Sequence, residues 1–294
     1  MGIVTVSVVL KVSGVSLKYA RASHPLFRDV AFQVRRGEVA VIMGDSGAGK
    51  TTLLHMIVGF LRAEAPPRTI RDYLWRGLFS VGDAPFVSGT IEIADQDVTH
   101  IEPSGRDIGL VMQRFSLYPN LTVRQNLAIP VRRKRIAVAE RRTLIEKVAK
   151  DLEIDEFLER YPGDLSGGQM QRVAIGKLLL KAPAVALLDE AFSHLDWKLR
   201  QTLRKQVVER LKEGADDRQP SGVLFVSHDI EDAQTADKII YLERPERTRG
   251  DAVTKVSVFE GGAGQAWQSF AAAAGYHIVQ LVTPTGTRGD ARQN

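Results

Sequence analysis

The run Gly44-Asp45-Ser46-Gly47-Ala48-Gly49-Lys50-Thr51 is a full G-x-x-x-x-G-K-[ST] stretch. Its glycines let the backbone curl until successive N–H groups point inward, where they suit phosphate oxygens. Lys50 brings a charge that can bridge the β- and γ-phosphates of a nucleotide, and the Thr51 hydroxyl can ligate Mg²⁺. Thr52 opens a helical stretch, Thr52–Gly59, whose positive end adds to an anion site. The apolar Val39–Met43 before the run reads as the strand such a cradle needs. A cradle of this kind implies a nucleotide and leaves the kind of machine open.

Two further groups of residues bear chemistry. Asp189-Glu190 follow the apolar Ala184–Leu188. A strand there sets Asp189 at its carboxyl end, able to hold Mg²⁺ through water, and Glu190 one residue on, able to act as general base toward a water. Leu165-Ser166-Gly167-Gly168-Gln169 opens a helix with the stripe Met170, Val173, Ala174 and Leu178. Ser166 can cap it, and the two glycines leave the backbone open, which makes a second anion site without a lysine.

Taken in order, these motifs resemble the ABC-transporter ATPase family over about residues 13–243. The resemblance implies an α/β fold: a P-loop NTPase core with a mostly parallel central sheet, an antiparallel β subdomain and a helical signature subdomain. It implies ATP and Mg²⁺ as cofactors, with Asp189 in the Walker B position and Leu165–Gln169 as the signature motif that binds the γ-phosphate held by a partner's cradle. Gln113, after the strand-like Ile108–Met112, matches the Q-loop glutamine that contacts Mg²⁺ and the attacking water. His228 matches the switch histidine that senses the γ-phosphate; alone it would read as a hydrogen-bonded loop residue. Ser193-His194-Leu195-Asp196 resembles the D-loop that crosses the dimer interface. Tyr19 matches the aromatic that stacks on adenine, and equally suits a strand core. The implied partners are a second ABC ATPase subunit, identical or sibling, and transmembrane permease subunits. Phe192–Asp196 and Leu117–Val123 look like importers that work with a solute-binding protein. An exporter or lipid-release ATPase is the nearest alternative, followed by a soluble ABC ATPase of DNA repair or translation and by a regulatory nucleotide-binding module.

The elements that must position these residues alternate along the chain. Val39–Met43, Val185–Leu188 and Val223–Ser227 are short and apolar on both faces, as strands of a covered parallel sheet must be. Leu199, Leu203, Val207 and Leu211 form one helical stripe, and Leu144, Ile145, Val148 and Leu152 another. The expected division is an ATPase domain over 1–243, with an insertion at about 61–87 carrying Tyr73, Trp75 and Phe79 and a helical subdomain at about 115–181. Residues 244–294 are expected to be a separate extension with no recognisable β-barrel regulatory domain, disordered from about Gly286.

Three positions depart from the family pattern: Ala191 replaces a proline, and Gly176-Lys177 replace a more common Ala-Arg. Losing the proline frees the backbone after Glu190, and a mid-helix glycine costs about 1 kcal/mol. No chemical group is lost.

Composition frames the rest. The 294 residues are 44% hydrophobic and 26% charged, which fits a globular chain. With no cysteine there is neither a disulfide framework nor a thiolate metal site. A net charge of +5 is modest, Arg132–Arg135 reads as a solvated face, and no nucleic-acid motif accompanies it, so no nucleic-acid partner is expected. Met1-Gly2-Ile3-Val4 lacks a basic signal region, and runs such as Ala182–Leu188 are too short to cross a bilayer. The expected location is therefore peripheral, on the cytoplasmic face of the cell membrane, through partner subunits.

Overall fold

The computed structural model describes residues 7–19, 22–61, 86–112, 116–132, 136–192, 196–214, 219–244, 253–262 and 264–274. The chain opens with β1 (Val8–Lys18) and β2 (Phe27–Arg35), followed by β3 (Val39–Gly44) and helix α1 (Lys50–Val58). β4 (Phe86–Ile93), β5 (Gln96–Asp97) and β6 (Ile108–Val111) lead into three helices, α2 (Val123–Ala128), α3 (Val138–Asp151) and α4 (Gly167–Lys181). The last third alternates β7 (Val185–Asp189), α5 (Trp197–Glu213), β8 (Gly222–Val226), α6 (Ile230–Gln234), β9 (Lys238–Glu243), β10 (Lys255–Glu260) and α7 (Gln265–Ala273). The insertion residues 62–85, with Tyr73, Trp75 and Phe79, and the stretch from Gly286 lie outside the described residues.

Two sheets result. One runs β2-β1-β4-β5, all antiparallel; the other runs β10-β9-β3-β8-β7-β6, with β9, β3, β8, β7 and β6 parallel and β10 antiparallel at the edge. The expected α/β architecture is therefore present. Side-chain alternation shows how the layers stack. Val39, Val41, Leu188, Val223, Phe225 and Ile239 face a core built with the helices α2 to α7. Their neighbours Ala40, Ile42, Leu187, Leu224, Val226 and Ile240 face a second core shared with the antiparallel sheet and α1. Each parallel strand is thus apolar on both sides because each side meets a different layer.

The sheet does not stop at residue 243. β10 pairs with β9 from Lys255↔Glu243 to Glu260↔Lys238, and α7 places Phe270 against Tyr241 (5.1 Å between centroids) and Phe259 (5.5 Å). Lys238 is fully buried, with Glu38 and Glu260 each 3.1 Å from its Nζ. A buried ammonium needs such partners, and one of the two comes from β10.

Gly176 also finds an explanation in packing. A Cβ there would sit 2.8 Å from Leu127 Cδ2 and 3.2 Å from Leu152 Cδ1, so α4 approaches α2 and α3 closely because that side chain is missing. Gly176→Ala should therefore fail to stabilise the protein, the helix-propensity gain of about 1 kcal/mol being offset by crowding. Urea unfolding measures this, and a gain near the full propensity value would contradict the packing argument.

Candidate functional site

All five parallel strands point the same way, so their carboxyl ends share one edge of the sheet. Open α/β sheets gather ligands at that edge. Here β3 ends at Gly44, β7 at Asp189 and β8 just before Ser227-His228. The 113–115 segment follows β6, and Gln113 itself lies outside the described residues.

The cradle is built by glycine geometry. Gly44 has φ +141° and passes so close to β9 that a Cβ would lie 2.0 Å from the Leu242 carbonyl oxygen. Gly49, the α1 N-cap, also takes the left-handed conformation, and the helix starts at Lys50, two residues earlier than the sequence suggests. Lys50 is only 7% exposed, and its Nζ donates to the Gly44 (2.7 Å) and Asp45 (2.9 Å) carbonyls. Burial lowers its pKa, with the Asp45 and Glu190 charges opposing. An ammonium held inside a loop of backbone amides suits a phosphate chain, which would relieve its desolvation. Ala48 is buried, Ser46 and Gly47 are exposed, and Thr51 and Thr52 face outward from the first turn. The Tyr19 hydroxyl lies 3.0 Å from Thr52 Oγ1, which places its exposed ring beside the cradle.

The outer wall of the cradle is a contact the sequence does not reveal. The Asp45 carboxylate accepts from the Arg244 backbone N–H (2.9 Å) and, more weakly, from the Tyr241 hydroxyl (3.4 Å). Asp45 N–H in turn donates to the Leu242 carbonyl. Nothing local in Tyr241 or Arg244 signals this, because the contact joins residues almost two hundred positions apart.

Across the sheet edge, Glu190 holds φ +48°, an unusual value for a side-chain-bearing residue, with its N–H donated to the Val226 carbonyl at 3.2 Å. The buried Ala191 and Phe192 fix the chain that follows, in place of the family's proline. His228 Nε2 stands 3.9 Å from Glu190 Oε1. Asp189 has its pKa raised, first by burial, then by the neighbouring Glu190 charge, with His55 opposing. Among the described residues no three His, Cys, Asp or Glu side chains cluster as a metal cage. The oxygen donors Asp189 and Thr51 suit a hard cation such as Mg²⁺ whose other ligands are water and phosphate oxygens.

The raised Asp189 pKa carries a testable consequence. Ionising this carboxyl disfavours folding, a penalty absent below the unfolded pKa and complete once pH has risen through the folded one. Asp189→Asn removes the charge and keeps the shape. Without nucleotide it should melt a few degrees above wild type at pH 7, with the gap closing toward pH 4, while its response to Mg²⁺-ATP is lost. Scanning fluorimetry across pH decides this; a lower melting point at pH 7 would refute it.

The signature segment forms as a local cap. Ser166 Oγ accepts from Gln169 N–H (3.3 Å) and Gln169 Oε1 accepts from Ser166 N–H (2.8 Å), a capping box at the start of α4. Leu165 is buried beneath it, Ser166 is exposed, and Gly167 and Gly168 lie in the open first turn. Ser193, His194 and Leu195 lie outside the described residues; Asp196 caps α5 by accepting from Leu199 N–H at 3.0 Å.

Comparison with known proteins agrees with this geometry. The family model described as ABC transporter matches residues 27–193. The sn-glycerol-3-phosphate import ATP-binding protein UgpC of Brucella abortus (strain 2308) is 38% identical over 218 residues, covering 74% of this chain and 54% of that protein. The protein of the same name from Chromobacterium violaceum is 34% identical over 236 residues, covering 80% and 56%. The chain thus spans about half the length of the curated relatives it matches. Among solved structures, the dimeric post-hydrolysis state of the ATP-binding cassette MJ0796 bound to ADP and Pi matches with a TM-score of 0.62 at 28% identity, over 82% of this chain and 99% of that one.

Proposed function

The chain belongs to the ABC transporter family, and on that premise we propose that it is the ATP-binding and ATP-hydrolysing subunit of an importer whose membrane-spanning subunits are separate chains. One observation carries the reading: Lys50, Asp189, Glu190 and His228 meet at one sheet edge, with His228 3.9 Å from Glu190. A phosphate cradle alone binds a nucleotide. A cradle joined by a carboxylate free to accept a proton hydrolyses one.

In the proposed reaction Lys50 turns its ammonium from the Gly44 and Asp45 carbonyls to the β- and γ-phosphates. Thr51 and Asp189, with Gln113, would hold Mg²⁺, which would supply neutralisation of the phosphate charge. Glu190 takes the proton of a water whose oxygen attacks the γ-phosphorus. The bond from that phosphorus to the bridging oxygen breaks, and its electron pair leaves on ADP, releasing phosphate. In this reading His228 bonds the γ-phosphate and Tyr19 stacks on the base.

The exposed α4 start at Ser166 supports the second half of the proposal. The Gly167 and Gly168 N–H groups of its first turn, with the Ser166 hydroxyl hydrogen, can form an anion site open to a molecule outside the chain. A second copy, or a sibling subunit, facing head to tail would put its nucleotide there, so each site is complete only in the pair. Closing and reopening of that pair would drive the permease subunits. No helix among the described residues is long and apolar enough to cross a membrane; a peripheral position at the cytoplasmic face rests on the proposed permease partners. The import direction is supported by relatives named for import; a solute-binding protein rests on the likeness of Phe192–Asp196 and Leu117–Val123 to importers that work with one, and the solute is selected by the other chains.

Purified chain should hydrolyse ATP with a specific activity that rises with protein concentration, and co-purified permease should raise it further. Activity independent of concentration would overturn the shared site, and no activity with or without permease would overturn the ATPase itself.

A further inference from the structure

We propose that Arg204, Asp232 and Ser227 form a positioning relay that holds His228 toward Glu190 and fastens it to helix α5; this rests on the ATPase reading above. Arg204 projects from α5, and its Nε lies 2.7 Å from Asp232 Oδ1 on α6. The same guanidinium donates to the Glu231 carbonyl (3.1 Å) and to the Thr235 hydroxyl, gripping α6 at three points. Asp232, 8% exposed, accepts from the Ser227 hydroxyl on its other oxygen. Ser227 Oγ then accepts from the Asp229 backbone N–H at 2.9 Å. His228 is the residue between Ser227 and Asp229, so both flanks of the histidine are fixed through one buried hydroxyl.

Stability alone is a poor reason for this arrangement. Replacing a buried ion pair by apolar residues of similar size is often neutral or favourable. Asp232 has its pKa raised by burial, a cost that Arg204 and the Ser227 hydrogen bond oppose while Asp229 and Glu231 add to it. What the pair adds is direction. A second arginine of α5, Arg200, approaches the Asp229 carboxylate at 4.0 Å, and Glu190, Arg200, Arg204, His228 and Asp232 line one cavity of about 160 Å³. Because α5 begins at the Asp196 cap, a displacement of its first turns reaches His228 through polar contacts rather than loose packing.

Two variants test the relay without leaving a buried charge unpaired: Ser227→Ala, and the double change Arg204→Met with Asp232→Leu. In both, kcat for ATP should fall by roughly ten- to a hundredfold with KM changed by less than about twofold, the pattern of lost alignment. Asp232→Glu, which keeps the carboxylate, should recover part of the loss. In ¹⁵N-histidine-labelled protein the His228 ring signals should shift or broaden in both variants. Folded variants with kcat within about twofold of wild type and an unmoved His228 signal would overturn the relay. If wild type itself is inactive the ATPase proposal falls, and the histidine spectra still decide the relay.

Discussion

Glu190→Gln should lower ATP turnover by about 10²- to 10⁴-fold, the usual contribution of a positioned proton acceptor. The substitution keeps size and shape and removes only the basic oxygen. The backbone that places residue 190 is held by its N–H bond to Val226 and by the burial of Ala191 and Phe192, none of which involves the carboxylate. Nucleotide binding should therefore persist. Since ATP would remain between the Lys50 cradle and a partner's Ser166, the variant should accumulate as an ATP-bound dimer. Light scattering on a sizing column with ATP and Mg²⁺ reads this directly. A variant that binds ATP yet stays monomeric at all concentrations would sink the shared site, and one that turns over normally would remove Glu190 from the chemistry.

The largest expected stability effect lies away from the chemistry, at Arg106. This arginine is 3% exposed and donates to the carbonyls of Met56 (2.9 Å), Ile57 (2.7 Å) and Ile101 (2.9 Å), with a longer contact to Thr99 at 3.4 Å. Met56 and Ile57 belong to the last turn of α1, where carbonyls run out of intrahelical donors; Met56 also accepts from the Gly59 N–H at 3.1 Å, so Arg106 supplies its second bond. Gly59 ends α1 in the left-handed conformation and leaves the space, since a Cβ there would lie 2.6 Å from Arg106 Nε. Arg106→Ala strips several buried carbonyls of a donor and opens a hole between α1 and the antiparallel sheet. A loss of about 3–5 kcal/mol is expected. Arg106→Lys should recover a part, since one ammonium cannot reproduce the planar fork. Urea unfolding followed by circular dichroism measures both, and a loss below about 1 kcal/mol for the alanine variant would refute this account.

What was legible in the sequence is what short stretches settle by themselves. The Gly44–Thr52 cradle is local backbone geometry, dictated by glycines that tolerate positive φ and by a helix that starts at once. The Ser166–Gln169 capping box closes over three residues. The strands β3, β7 and β8 announce themselves by apolar runs, and the stripes of α3, α4 and α5 by their period, with ends shifted by a residue or two. The order of these motifs is enough to place the chain in its family.

Only the tertiary structure decided how distant residues complete those local units. The stretch Lys255–Glu260 alternates no more clearly than a surface segment, and becomes a strand because β9 offers an open edge and Lys238 needs Glu260. Arg106, Arg204, Asp232 and Arg244 read in sequence as ordinary charged residues; each matters for a carbonyl, hydroxyl or carboxylate brought to it by folding. The physical reason is range. Backbone conformation and caps are fixed by neighbours a few residues apart, whereas the desolvation of a buried charge is relieved by whichever polar group the packed layers deliver.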